Sequence, residues 1–367
     1  MKRRLFLSGA GLAAGAALAS ALPKPAIAQD KTEWKMVTSW PKGLPGLATG
    51  AERLADRIGK LSGGRLTVKV FAGGELVPAL GCFDAVSQGT ADMAHDAAYY
   101  HTDKEPAAGF FTSVPFGMTA DELNGWVYFG GGQELWDELY AKHNIKAFLA
   151  GNTGEQMGGW FRKEIKSVKD LQGLKFRMPG QGGDALAKLG VTVVELSGQD
   201  IFSNLQSGTI DGAEWIGPYN DLSFGFYKIT KLYYWPGFHE PGSALQCMVN
   251  KQKFDALPDD LKQIVAAACA AENDIMLAEF NGRSPAALAT LVNEHKVQLM
   301  QFPKDVMTAF GTASGQVMQD VLDKGDDLTK RIAKSYFKFL KDAKAYSKIT
   351  ENAYTSARAL KFRYPEG

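Results

Sequence analysis

Apolar and polar positions along the first third of the chain switch repeatedly between two periods, and so predict strands and helices in turn. Trp34 to Trp40 reads as a strand and Pro41 to Gly46 as a loop. Leu47, Ala51, Leu54, Ile58 and Leu61 then recur at helical spacing, and Gly63-Gly64 ends that helix. Leu66 to Phe71 alternates as a strand, Pro78 to Gln88 predicts a helix, and Ala91 to Ala94 a short strand. Thr119 to Gly130 and Gln133 to His143 predict two helices split by glycines, and Asn144 to Ala150 the next strand. Such alternation marks a mostly parallel α/β sheet, whose ligands bind beyond the carboxyl ends of the strands. The segment His95 to His101 falls at such an end, as a loop. Its polar tips on aromatic bodies suit a ligand wall; an ordinary surface loop with two stacked tyrosines has the same composition.

The next stretch, Asn152 to Arg177, marks the crossing into a second lobe. Met157 to Phe161 and Leu174 to Met178 predict strands, joined by a capped helical turn at Ser167 to Asp170. A helix from Gly183 to Leu189, a strand from Val191 to Leu196 and a helix from Gln199 to Gln206 follow. A short strand then ends in Glu214 and Trp215. Lys231 to Trp235 and Ala244 to Asn250 predict further strands, the second crossing back. From Pro258 the pattern is helical, interrupted at Ser284-Pro285, with Val297 to Phe302 as one more strand. After Pro303 it is helical to Leu360, with an apolar stripe at Leu328, Ile332, Phe339, Ala343 and Tyr346. The predicted organisation is a first lobe over 29–151 and 246–300, a second over 152–245, and a helical extension over 301–367. A chain of 367 residues has the length for two lobes and an extension.

The N-terminus changes this picture only by removal. Lys2, Arg3 and Arg4 precede an apolar Ala/Gly-rich stretch, and Ala26-Ile27-Ala28 fits a cleavage site. Arg3-Arg4-Leu5-Phe6-Leu7 fits a twin-arginine export signal over 1–28, with an ordinary secretory signal giving the same compartment. The expected location is the periplasm. Charge excludes more than it suggests. The chain has 41 Lys and Arg against 40 Asp and Glu; without the signal's Lys2, Arg3, Arg4 and Lys24 the balance is 37 to 40, too even for a nucleic-acid binder. Cys82, Cys247 and Cys269 match no metal spacing and read as small buried apolar residues.

Chemistry is sparse. No Gly-x-Ser-x-Gly elbow, His-Glu-x-x-His or Walker loop occurs. Gly180-Gln181-Gly182-Gly183-Asp184-Ala185 matches a dinucleotide fingerprint, but is better read as a tight strand-to-helix turn whose glycines permit close approach. Arg177, near the end of an apolar strand, must find a partner, because an unpaired buried charge is very costly. That partner is either a bound carboxylate, which fits the guanidinium fork best, or an internal Asp or Glu.

Several segments together resemble the solute-binding proteins of tripartite ATP-independent periplasmic (TRAP) transporters, the DctP family. General marks are Leu-x-Gly-Leu-Lys-x-Arg ending at Arg177 and Gln206-Ser207-Gly208-Thr209-Ile210-Asp211-Gly212. Asn152 to Arg162, Glu214 to Tyr219 and Tyr234 to Glu240 are similar to the subgroup that binds 2-oxo acids or lactate with a cation. The resemblance implies a clamshell of two α/β lobes closing on a small carboxylate, delivery to membrane permease subunits, and a homodimer through exchanged C-terminal helices. It implies that Arg177 meets the carboxylate and that Asn152, Gln156, His95, Asp96 and Tyr100 complete the ligand site. The cation, sodium or alternatively calcium, falls on Gln156, Glu214, the Trp215 carbonyl and Glu240. Phe238-His239 and Asp96 depart from the family's pattern and bear on which acid fits. Two other readings are a periplasmic sensor and an exported enzyme with Glu214 as base; no acid partner for Glu214 is visible, so the enzyme ranks well below.

Overall fold

In a computed structural model of the protein, residues 31–363 are described; the signal read over 1–28 lies outside them. The strands are β1 (Thr32–Thr38), β2 (Leu66–Phe71), β3 (Met93–Asp96), β4 (Ile145–Asn152), β5 (Gly159–Phe161), β6 (Lys175–Arg177), β7 (Thr192–Val194), β8 (Gly212–Ala213), β9 (Leu232–Trp235), β10 (Ala244–Asn250) and β11 (Gln298–Gln301). The α-helices are α1 (Leu47–Leu61), α2 (Cys82–Ser87), α3 (Ala120–Phe129), α4 (Gly132–Ala141), α5 (Gly180–Lys188), α6 (Gly198–Ser207), α7 (Pro218–Phe224), α8 (Lys251–Asp255), α9 (Asp259–Asn293), α10 (Lys304–Lys324), α11 (Asp327–Ile349) and α12 (Glu351–Arg358).

Two sheets form two lobes. The first has the order β2-β1-β3-β10-β4, with β1 parallel to β2 and β3, and β10 antiparallel to β3 and β4. The second has the order β11-β9-β5-β8-β6-β7. The α/β class read from the sequence is the architecture observed, and β10 does cross back as expected. The strand near residue 300 is different. It was expected in the first lobe with 246–300, but β11 pairs in parallel with β9 on the edge of the second sheet.

Burial explains the elements that the pattern predicted. Helix α1 buries Leu47, Ala51, Leu54 and Ile58 along one stripe against β2 and α9. Helix α9 is a long strut that packs on β4 and α1 of the first lobe and on α7 beyond it. It runs unbroken through Pro285, where an interruption was expected. Pro285 faces solvent, so water can serve the carbonyl it strips of a donor, while Met276, Phe280, Ala287 and Leu291 hold one buried stripe on both sides. The three cysteines are free and buried. Among the described residues no helix is long and apolar enough to cross a membrane.

The extension divides between two fates. In the first half of α11, Ile332, Ala333 and Tyr336 are buried, and the Tyr336 hydroxyl accepts from the Met118 amide at 3.0 Å. This half is a strap on its own lobe. Further on, Tyr346, Ile349, Tyr354 and Leu360 are all more than 60% exposed, and α12 buries nothing.

Candidate functional site

Three segments, around 153–157, 214–216 and 237–243, are zipped together by backbone hydrogen bonds. Gln156 N donates to Glu240 O, Gly237 N to Gln156 O, Met157 N to Ile216 O and Thr153 N to Ser243 O, all at 2.9–3.2 Å. This brings Gln156, Glu214 and Glu240, far apart in sequence, to one place. Glu214 follows the two-residue strand β8, whose register against β6 sets it beside Arg177.

Arg177 is 1% exposed. Its Nε donates to Leu196 O at 3.2 Å, and its Nη1 donates to the Glu214 backbone carbonyl at 3.0 Å and to the Glu214 carboxylate. Its guanidinium lies 5.1 Å from the Trp215 ring centroid. Of the two partners open to Arg177, the internal carboxylate is therefore present, and the fork is only partly used. Burial is the largest effect and works against the charge of Arg177; Glu214, with Tyr100, Tyr99 and Glu240 adding to it, more than offsets burial and holds the guanidinium above its ordinary value.

The other oxygen of Glu214 lies 3.2 Å from His239 Nε2, which donates to it. Glu240 accepts from Gln156 Nε2 at 2.6 Å, and the same amide nitrogen donates to Thr153 Oγ1 at 3.0 Å. Ligand atoms of Glu214, His239 and Glu240 lie within 4.8 Å of one another. Burial, with Glu214 adding to it, pushes the Glu240 carboxyl up to about 7. Burial lowers His239, but its hydrogen bond to Glu214 and the charges of Glu214 and Glu240 together outweigh that and leave it raised. Among the described residues, neither Gln156 Oε1 nor Arg177 Nη2 has a hydrogen-bond partner. An orphan acceptor beside two carboxylates fits a cation, and an orphan guanidinium N–H fits a carboxylate.

Next to this cluster is a small cavity of about 10 Å³, room for about one water molecule. Trp40, Tyr99 and Tyr100 line it from the first lobe, and Gln156, Trp215 and Ile216 from the other side. Trp40 meets Trp215 edge to face at 6.5 Å, and Tyr99 meets Tyr100 likewise at 4.8 Å. Gly180 (φ 60°) lies against Tyr99, and a Cβ at Gly182 would be 2.5 Å from that of His239. The glycine-rich turn thus packs the start of α5 against the site, the close approach that its glycines permit.

Two expected ligand-wall residues lie elsewhere. His95 and Asp96 belong to β3, which starts two residues later than the sequence pattern indicates. His95 Nδ1 accepts from Trp40 Nε1 at 2.8 Å and Nε2 donates to Ala150 O at 3.0 Å, so both ring nitrogens are used. The two Asp96 oxygens are 2.7 Å from His101 Nε2 and 2.8 Å from Gln246 Nε2. His95 serves the site only by fixing Trp40. Asn152 closes β4, its Oδ1 accepting from Gly154 N at 2.9 Å. Tyr100, by contrast, is on the cavity wall. Trp40 and His239 were not among the expected ligands. Trp40 follows a parallel strand's carboxyl end, the rule already applied to His95; His239 was visible only as a departure from pattern.

With the geometry in place, comparison decides the family. The model of bacterial extracellular solute-binding protein family 7, DctP, matches residues 37–324. The chain belongs to this family. It is 40% identical over 321 residues to the monocarboxylate 2-oxoacid-binding periplasmic protein of Nostoc sp. (strain PCC 7120), covering 88% of this chain and 87% of that one. A TRAP transporter solute-binding protein from Bordetella bronchiseptica RB50, a mixed-occupancy dimer with calcium and picolinate in its active site, superposes with a TM-score of 0.88. It is 40% identical and covers 90% of this chain and 97% of its own. A TRAP periplasmic solute-binding protein from Pseudoalteromonas atlantica with bound sodium and pyruvate gives a TM-score of 0.87 at 38% identity, covering 90% and 100%. The protein is a DctP-family solute-binding protein of the TRAP type and not an enzyme.

Proposed function

We propose that this DctP-family protein captures a small monocarboxylate, a 2-oxo acid with pyruvate the first candidate or else the 2-hydroxy acid lactate, in the periplasm and hands it to a membrane permease. The observation that carries the reading is the pair of orphan groups flanking two buried carboxylates: Gln156 Oε1 on one side and Arg177 Nη2 on the other. Gln156, Glu214, Glu240 and the Trp215 carbonyl would hold a hard cation, sodium first and calcium as the alternative. When bound, that cation gives the acid's carboxylate and its 2-oxo oxygen a common chelation point. Arg177 turns its spare N–H groups to the carboxylate, and the Trp40, Tyr99, Tyr100 and Trp215 rings exclude water. The pyruvate named for the Pseudoalteromonas protein, and the cations named for both solved structures, support the class. A thermal-shift screen tests it. Pyruvate should raise the melting temperature in sodium or calcium and not in a buffer of a large organic cation; no shift with any small carboxylate would refute the reading.

The same reading includes a homodimer through the end of the C-terminal extension. The exposed residues Tyr346, Ile349, Tyr354 and Leu360 give this end an apolar surface that nothing among the described residues covers fully. Truncation before Leu328 would cut into the strap that buries Ile332 and Tyr336, so the informative cut lies after Lys344. That protein should be folded and monomeric by light scattering, with the full chain dimeric at micromolar concentration. A monomeric full-length protein would end the idea.

A further inference from the structure

We propose that Asn220 is a positioning residue that latches the two lobes shut around the ligand, by joining the Trp215 indole to the loop between β1 and α1. Asn220 lies in α7, just after the second-lobe segment that carries Glu214 and Trp215, and is fully buried. Its Oδ1 accepts from Trp215 Nε1 at 3.1 Å, and its Nδ2 donates to Pro45 O at 2.8 Å, a residue 175 positions away in the first lobe.

The chemistry of the two partners fixes the amide. An indole N–H only donates and a proline carbonyl only accepts, so the Asn220 side chain has one orientation that satisfies both. No residue of similar size does the same. Aspartate keeps the acceptor but sets a carboxylate against the Pro45 carbonyl, and leucine or alanine leaves both partners without a bond. The Pro45 bond also depends on conformation: it joins groups on different lobes and exists only when they meet. Trp215 is the indole on which the site converges, with Arg177 over its face and Trp40 at its edge. Asn220 therefore links the position of Trp215, and with it the Trp215 carbonyl, to lobe closure. In an opened protein Asn220 and Pro45 O are each free to bond water, so the latch costs the ligand-free form nothing.

This inference rests on the cleft being the site of carboxylate capture, and the test separates the two. Wild-type protein, Asn220→Ala and Asn220→Asp are mixed with pyruvate in sodium buffer, and tryptophan fluorescence follows association and dissociation. Both variants should release pyruvate at least about tenfold faster, near 1.4 kcal/mol, with association unchanged; the ligand-free melting temperature should equal that of the wild type in Asn220→Asp, which keeps the acceptor for Trp215, and fall only in Asn220→Ala. A wild-type release rate in either variant overturns the latch and leaves the cleft's function standing. A lowered ligand-free melting temperature in both variants assigns Asn220 a purely structural role and overturns it too. Failure of the wild-type protein to bind any small carboxylate overturns the function and the latch together.

Discussion

Glu214→Gln should weaken pyruvate binding about a hundredfold or more, near 2.8 kcal/mol, and remove most of its dependence on sodium or calcium. The expectation follows from charge. Glu214 and Glu240 offer oxygens within 4.8 Å of each other, a separation at which like charges repel by about 3 to 4 kcal/mol at an effective dielectric of about 20. An anionic ligand adds a third negative charge, and Arg177 offsets only one. A cation between the carboxylates resolves the conflict, and a neutral glutamine weakens its hold most. Calorimetry on chelator-stripped protein, first in a large organic cation and then with sodium or calcium restored, reads both effects. The rival is specific. Were Glu214 only the internal counter-charge of Arg177, Glu214→Gln would free the guanidinium and bind pyruvate at least as tightly in every buffer. That result would sink the cation bridge.

Where the sequence carried a long period, it could be read. The stripe of α1 and the helices of the extension follow from repeats of apolar residues long enough to have a phase. Ala91-Asp92-Met93-Ala94 has no such phase, being short and made of small residues. The start of β3 is set by the ladder that pairs Met36 with Met93 and Thr38 with His95, and this drew His95 and Asp96 into the sheet. Pro285 carries a local signal for a break, which tertiary burial overrules. The sheet to which β11 belongs is not a local property at all. Helix α7 could have been seen, since Pro218 stands at its first turn, a position that needs no N–H. The site was legible as segments but not as bonds: Gln156, Glu214 and Glu240 were read from motifs, while the Arg177–Glu214 contact depends on β6 and β8 lying side by side. His239 was legible only as a departure from the family's pattern and not as a member of the cluster, because a lone histidine carries no spacing to read.

Arg177→Lys should lower pyruvate affinity by at least about tenfold, near 1.4 kcal/mol, although it keeps the positive charge. In the wild-type protein, the planar fork does three things at once. Nε holds the Leu196 carbonyl, Nη1 holds both the carbonyl and the carboxylate of Glu214, and the plane lies over the Trp215 ring. Nη2 is left over for a ligand. A lysine has a methylene where Nε stood, so the Leu196 carbonyl loses this donor, and a lost hydrogen bond in a buried setting costs about 1–3 kcal/mol of stability. Its ammonium is a point donor and cannot hold Glu214 and at the same time aim a separate nitrogen, as Nη2 is, at a second carboxylate. Both affinity and stability should therefore fall, and the two can be measured apart: calorimetry with pyruvate for the first, urea unfolding without ligand for the second. A folded Arg177→Lys protein that loses stability yet binds every wild-type ligand unchanged would confine Arg177 to its internal pair with Glu214. If both quantities fall, Arg177→Lys combined with Glu214→Gln reads the coupling. Because the two residues share one hydrogen-bonded cluster, the double variant should lose less affinity than the single losses added together.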